Sequence, residues 1–219
     1  MRLALALYGE GTTDERFLTL IIQRTSRKIL AEHRQNNRSI VLVEPIKLFE
    51  KKPTREENIL QAAIQAFSYQ ALIVHSDADN PSNHKALKER ILPGFHLVER
   101  SKEAMCEKLL PIIPIQAIEA WMLADYEVIC TEVRTDLTAR ELGIPEKAKQ
   151  VEAISKPKLR LNEAVSKINK QLRPQQKIEV YSLYEPPGRK IRLERLMQLS
   201  AYQQFVNDLT DTMKTLNLI

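Results

Sequence analysis

Short apolar runs alternate with helical patterns along the first third of this chain, and that alternation leaves few folds open to it. Residues 3–8 form an apolar run of strand length that ends in Gly9-Glu10-Gly11. Phe17, Leu18, Ile21, Ile22, Ile29 and Leu30 then recur at helical spacing as far as His33. A second β-branched run, residues 40–43, stops near Pro45, and a helical pattern through Ile59, Leu60, Ala63, Ile64 and Phe67 spans residues 54–69. Residues 71–74 are a third short strand, ending in His75-Ser76-Asp77-Ala78-Asp79. Neighbouring parallel strands need a crossover long enough to hold a helix, so this order predicts an α/β fold around a mainly parallel sheet.

Local signals refine the boundaries. Thr12 with Glu15 three residues on predicts a capping box, and Asn80-Pro81 predicts a helix with Pro81 at its first position. Residues 112–115 are the candidate fourth strand, leading into a helix over 117–124 that carries Glu119 and Trp121. Trp121 reads as a core anchor. Past residue 130 the strand signals fade, and helical stretches near 136–142, 158–172 and 191–215 are joined by proline-bearing segments. The expected organisation is an α/β domain over residues 1–130, its central sheet flanked by helices. A mostly helical appendage, residues 131–219, packs on it.

Composition narrows the class. With 43% hydrophobic and 28% charged residues, the chain of 219 residues can bury one sizeable core. Its longest apolar tract, residues 109–124, is interrupted by Pro111, Pro114, Gln116 and Glu119, which excludes a membrane span there. The apolar stretch at the start is too short for a signal peptide. Cys106 and Cys130 make neither a disulfide framework nor a paired metal motif, which points to the reducing cytoplasm. Residues 1–130 hold 17 basic and 17 acidic side chains, whereas residues 131–219 hold 16 and 11, so the net +5 lies in the C-terminal part. A basic lobe of this kind suits a polyanionic partner or a solvated helix face.

The acids carry the chemistry. Open parallel sheets bind ligands at the carboxyl ends of their strands. Glu10 follows the first strand, Asp77 and Asp79 follow the third, Glu119 follows the fourth, and Asp14 lies one helical turn beyond Glu10. Gathered together, these carboxylates would repel one another unless a cation sat among them, and an all-oxygen set suits Mg²⁺ or Mn²⁺ rather than zinc. Each acid also has a purely structural role open to it, as helix cap or turn former. Other motifs fit poorly. Asp14 stands where a dinucleotide fingerprint needs its third glycine, no Walker-type run exists, and His75, His84 and His96 are scattered for a zinc set.

Glu10-Gly11-Thr12-Thr13-Asp14 after an apolar strand resembles the Glu-Gly-x-x-Asp opening of TOPRIM (topoisomerase–primase) domains, and Asp77-Ala78-Asp79 resembles their Asp-x-Asp pair. The segment 114–125 is similar to one in OLD-like bacterial TOPRIM proteins, some encoded beside ATPases and linked with phage defence. That resemblance extends more loosely to Lys156-Pro157-Lys158 and to residues 200–205. It implies Mg²⁺-dependent phosphodiester hydrolysis on DNA or RNA, with Mn²⁺ able to substitute. Under it Glu10 is the catalytic acid/base or a metal ligand, and Asp77 and Asp79 hold the metal. Asp14 matches the second acid of the opening, and Glu119 and then Asp125 are further candidates. Lys156, Lys158, Arg160, Arg189 and Lys190 would neutralise backbone phosphates. A partner ATPase and a second copy of the chain are candidate partners; a membrane is not. Two other classes compete: a non-catalytic nucleic-acid- or ATPase-binding module with a degenerate site, and a metal-dependent transferase using the Asp-x-Asp pair on a nucleotide-sugar. The latter explains neither the Glu10 turn nor the basic lobe.

Overall fold

A computed structural model of the chain describes residues 2–33 and 40–219. Four parallel strands, β1 (Arg2–Tyr8), β2 (Ile40–Pro45), β3 (Ala71–His75) and β4 (Leu109–Ile112), form one sheet in the order β2-β1-β3-β4. The crossovers are α1 (Thr12–His33), α2 (Arg55–Gln65) and a helical stretch made of α3 (His84–Ala86), a π-helical turn (Leu87–Ile91) and α4 (Leu92–Arg100). The expected α/β class with a parallel sheet flanked by helices is what the chain adopts.

Register explains the two faces of the sheet. Leu5 pairs with Val43 on one side and Ala71 on the other, and Ile73 pairs with Leu110. Side chains alternate along each strand, so Leu3, Leu5, Leu7, Val41, Ala71, Ile73 and Ile112 share one face and meet Phe17, Leu18, Ile21 and Ile22 of α1. Ala6, Leu72 and Val74 point the other way, against Ile59, Ala62 and Ala63 of α2 and Val98 of α4. α2 and α4 approach closely because residue 94 is glycine: a Cβ there would lie 2.7 Å from Ile59. Each fully buried Leu, Ile or Phe in these layers contributes roughly 1.5–3 kcal/mol.

Every element after β4 is helical: α5 (Ile118–Leu123), α6 (Tyr126–Val133), α7 (Ala139–Leu142), α8 (Pro157–Asn169), α9 (Glu185–Lys190), α10 (Leu193–Leu196) and α11 (Ser200–Thr215), with short 3₁₀ turns between some of them. They share the first core with α1 and the sheet. Trp121 is fully buried and packs edge-on against Tyr202 of α11 at 5.3 Å, while the Tyr202 hydroxyl shares a 2.6 Å hydrogen bond with Thr25 of α1. Among the described residues no helix is long and apolar enough to cross a membrane.

Several boundaries differ from the sequence expectations for local reasons. The fourth strand is Leu109–Ile112 rather than 112–115, and contains Pro111. It lies at the sheet edge, where proline's missing N–H disturbs no ladder. Thr12 is already the first helical residue, the Glu15 N–H bonds to Gly11 O, and the Glu15 side chain pairs with Lys47 after β2. Capping boxes form instead at Thr54/Glu57 and Thr138/Glu141. Pro81 sits in a turn and the helix starts three residues later, at His84. Residues 191–215 divide into α10 and α11.

Candidate metal centre

From β1 the chain winds to the edge strand β2, then returns past β1 to β3. The carboxyl ends of β1 and β3 therefore mark the point where the winding reverses, which is where open parallel sheets hold their ligands. Glu10, Ser76 and Asp77 all emerge there.

Glu10 is fixed from two sides. Ser76 Oγ donates to Glu10 Oε1 at 2.8 Å, and Arg55 Nη1 lies 3.2 Å from the same oxygen. Arg55 opens α2, and it also donates to the carbonyls of His75 (2.6 Å) and Arg90 (3.0 Å), so its fork is locked to the end of β3. Asp77 Oδ1 accepts from the Ile118 N–H at 3.0 Å, which anchors the start of α5 beside β3. That anchor brings in Glu119, the next residue of α5, which is 4% exposed and accepts from the Tyr184 hydroxyl at 2.5 Å. Asp14, in the first turn of α1, faces the same space, and Thr13 Oγ1 bonds its Oδ1 at 3.3 Å.

The Asp79 side chain is 62% exposed and bonded to Arg90 Nη1 at 2.7 Å; Arg90 also donates to the Asp77 carbonyl at 3.0 Å. Asp79 adopts φ +50 and Gln116 φ +61, left-handed conformations that let the loops after β3 and β4 bond to each other, Asp79 N–H to Gln116 O at 2.8 Å. Aspartate tolerates this region better than most residues.

Electrostatics records the crowding. Asp77 is pushed up to about 8, first by burial and then by Asp14, Glu119 and Glu10, against the opposing Ile118 N–H. Asp14 is pushed up to about 6 by burial, then by Glu10 and Glu119. Burial lowers His75 to about 4, so its ring is neutral near pH 7. Burial, and then its bond to Glu119, raises Tyr184 above the usual phenol range.

Glu10, Asp14, Asp77, Asp79 and Glu119 all line one open cleft of about 700 Å³, with Lys156, Pro157 and Lys158 at the N-terminus of α8 across from them. A second cleft of similar volume adjoins it through Glu10 and Gly11 and is lined by Lys47, Lys51, Arg55 and Arg90. Two of the basic residues singled out from the sequence thus face the acids. Arg160 instead pairs with Glu163, Arg189 with Glu185, and Lys190 with Glu132. Asp125 is fully buried and held by the Arg192 guanidinium and backbone N–H, a structural tie between α5–α6 and the loop before α10.

Among the described residues no three His, Cys, Asp or Glu side chains already stand at ligating spacing. The reason is visible in their partners, since Asp79 turns to Arg90 and Glu119 to Tyr184. The donor set nonetheless suits a divalent cation: carboxylates crowded enough to raise two of their number, and a buried imidazole Nε2 among them with no hydrogen-bond partner among the described residues. Sequence reasoning missed Arg55, Ser76, Arg90 and Tyr184, and dismissed His75 only as part of a zinc triad. Adjacency to the Asp-x-Asp pair was the available signal for His75 and Ser76; the other three come from distant segments. Comparison of the chain with protein-family models, curated proteins and solved structures finds no match.

Proposed function

We propose that this chain is a divalent-metal-dependent phosphodiesterase acting on DNA or RNA, with a TOPRIM-like centre. The observation that carries the reading is the shared cleft, in which five carboxylates from three strand ends and α1 face two lysines. Asp14, Asp77 and Glu119 would hold the cation, with Asp79 at the rim. Bound there, a divalent ion of the Mg²⁺ or Mn²⁺ class polarises a phosphoryl oxygen and favours ionisation of water.

The chain's own residues do the rest. Arg55 and Ser76 orient the Glu10 carboxylate, leaving Oε2 to take a proton from attacking water. Lys156 and Lys158 neutralise the phosphates flanking the scissile bond. Water oxygen would add to phosphorus, the bond to one sugar oxygen would break, and that oxygen would leave with a proton from solvent, to which Glu10 returns the proton it took. We extend the proposal, on the sequence resemblance, to work beside a partner ATPase in phage defence and, on the cysteine usage, to the cytoplasm.

Incubating the protein with plasmid, single-stranded DNA and RNA, with Mg²⁺ or Mn²⁺ and with chelator, tests the reading. Metal-dependent cleavage that Glu10→Ala and Asp77→Asn abolish is the expected result. Cleavage that neither substitution reduces overturns it. A second reading, a nucleic-acid- or ATPase-binding module without catalysis, is favoured by the pairing of Asp79 with Arg90 and of Glu119 with Tyr184. Metal-independent nucleic-acid binding with no cleavage in any condition would select it.

A further inference from the structure

His75 ends β3 and is fully buried. Its Nδ1 lies 3.1 Å from the carbonyl oxygen of Ile112 on β4. A carbonyl only accepts, so Nδ1 carries the proton and Nε2 presents a lone pair. Among the described residues that lone pair has no hydrogen-bond partner, and it faces two more acceptors, Asp77 Oδ1 at 3.6 Å and Asp14 Oδ2 at 3.8 Å.

Only an electrophile joins three lone pairs. A bridging proton serves one pair at a time and draws it to roughly 2.7–3.2 Å, shorter than either gap. Two ligand atoms on one first-row divalent ion, each roughly 2.1 Å from it at 90–120° to one another, stand roughly 3.0–3.7 Å apart. The Asp77 separation lies at the upper end of that span and the Asp14 separation just beyond it. Like charge pushes the two carboxylates apart, and small side-chain rotations close the difference.

The surroundings match a ligating imidazole. Its second nitrogen is tied to a backbone carbonyl, the usual device for fixing a ligand ring and its tautomer. The partner carboxylates are themselves oriented, Asp77 by the Ile118 N–H and Asp14 by Thr13.

We propose that His75 Nε2 is a nitrogen ligand of the cation, with Asp14 and Asp77 supplying oxygens, and that the centre therefore selects a transition ion such as Mn²⁺ over Mg²⁺. This rests on the metal-dependent reading above and names its ion. Imidazole suits first-row transition ions, whereas Mg²⁺ keeps oxygen and water around itself.

The test uses the intact chain and Mn²⁺ alone. His33, His84 and His96 are exposed, so replacing all three with Gln leaves His75 as the one remaining imidazole of the chain's four. Spin-echo spectra of Mn²⁺ bound to this variant should show coupling to a directly bound nitrogen, and histidine-selective ¹⁵N labelling should change its pattern. Calorimetry should give Mn²⁺ at least about tenfold higher affinity than Mg²⁺. Because the spectra need no substitution at His75, a folding defect of His75→Ala does not disturb the result. Mn²⁺ bound without nitrogen coupling overturns the assignment of His75 and leaves the carboxylate centre standing. Equal affinities for the two ions overturn the selectivity, and failure of both ions to bind overturns the metal-dependent reading itself.

Discussion

Replacing Asp77 with asparagine should make the metal-free protein more stable. Folding raises the Asp77 carboxyl from 3.8 to about 8, so near pH 7 the folded state must either protonate it or bear a buried charge and the repulsion of Asp14, Glu119 and Glu10. Roughly three pH units separate 3.8 from 7, and about 1.4 kcal/mol for each sets a ceiling of about 4 kcal/mol. Asp14 and Asp77 titrate together and share that penalty, so we expect about 2 kcal/mol. Asparagine keeps an oxygen for the Ile118 N–H, so the anchor of α5 survives the change. For a chain of this size about 2 kcal/mol raises the melting temperature by about 4–8 °C.

The assay is thermal unfolding after chelator treatment, followed by circular dichroism across pH. Between 3.8 and about 8 the folded chain binds more protons at Asp77 than the unfolded one, so wild-type stability falls as pH rises. His75 acts in the opposite sense below 6.5, because burial lowers it to about 4 and stability is then lost as pH drops. Asp14, held at about 6, adds its slope below that value. The window from 6.5 to 8 thus holds the upper step of the Asp14–Asp77 pair clear of His75, and there the wild-type slope should flatten in Asp77→Asn. Added Mn²⁺ at about a hundred times its dissociation constant should stabilise wild type by about 2.7 kcal/mol and the variant by much less. A variant that melts at or below wild type without metal, or gains as much from Mn²⁺, refutes the account of a repulsive cluster relieved by a cation.

Arg192→Ala should cost about 1–3 kcal/mol in urea unfolding, because the fully buried Asp125 carboxylate loses the half-exposed guanidinium and keeps only the backbone N–H of residue 192. Tyr184→Phe should cost about 1–3 kcal/mol by taking away the hydroxyl that Glu119 accepts from; a loss of a few tenths would mean that water replaces it. Lys156→Ala and Lys158→Ala should each weaken nucleic-acid binding across sequences and reduce its salt dependence, the slope falling by roughly 0.7–0.9 per lysine. Arg160→Ala, paired with Glu163 outside the cleft lining, serves as the control that leaves the slope unchanged.

The sheet could be read from the sequence because its information is local. Leu3, Leu5 and Leu7 are continuous with a glycine turn, and the runs of β2 and β3 are too short and too β-branched to be anything but strands between helices. β4 was displaced because its pairing is not local. Pro111 looks like a strand breaker until the edge position of β4 is known, and only the order β2-β1-β3-β4 supplies that. The start of the helix after Asn80 failed for a related reason. Residues 79 and 80 are already engaged by Gln116 through backbone bonds, so the turn extends and Pro81 is left outside the helix.

The acids of the cleft were legible for the same reason as the strands: an acid directly after a strand goes where the strand goes. Groups that tune those acids obey no such rule. Arg55 reaches Glu10 from the start of α2, and Tyr184 reaches Glu119 from 65 residues away. Neither residue carries a local pattern, and each matters only because the sheet and the C-terminal helices close around the same point. His75 lies between the two cases. Its position at the end of β3 was visible, but the meaning of its side chain depends on Ile112, whose carbonyl fixes the ring proton and turns the free nitrogen toward Asp14 and Asp77. A histidine in the same place whose Nδ1 met a donor would carry its proton on Nε2 and offer those carboxylates a hydrogen bond. The pairing of β3 with β4 therefore decides the chemistry at the end of β3, since it sets which ring nitrogen keeps its lone pair.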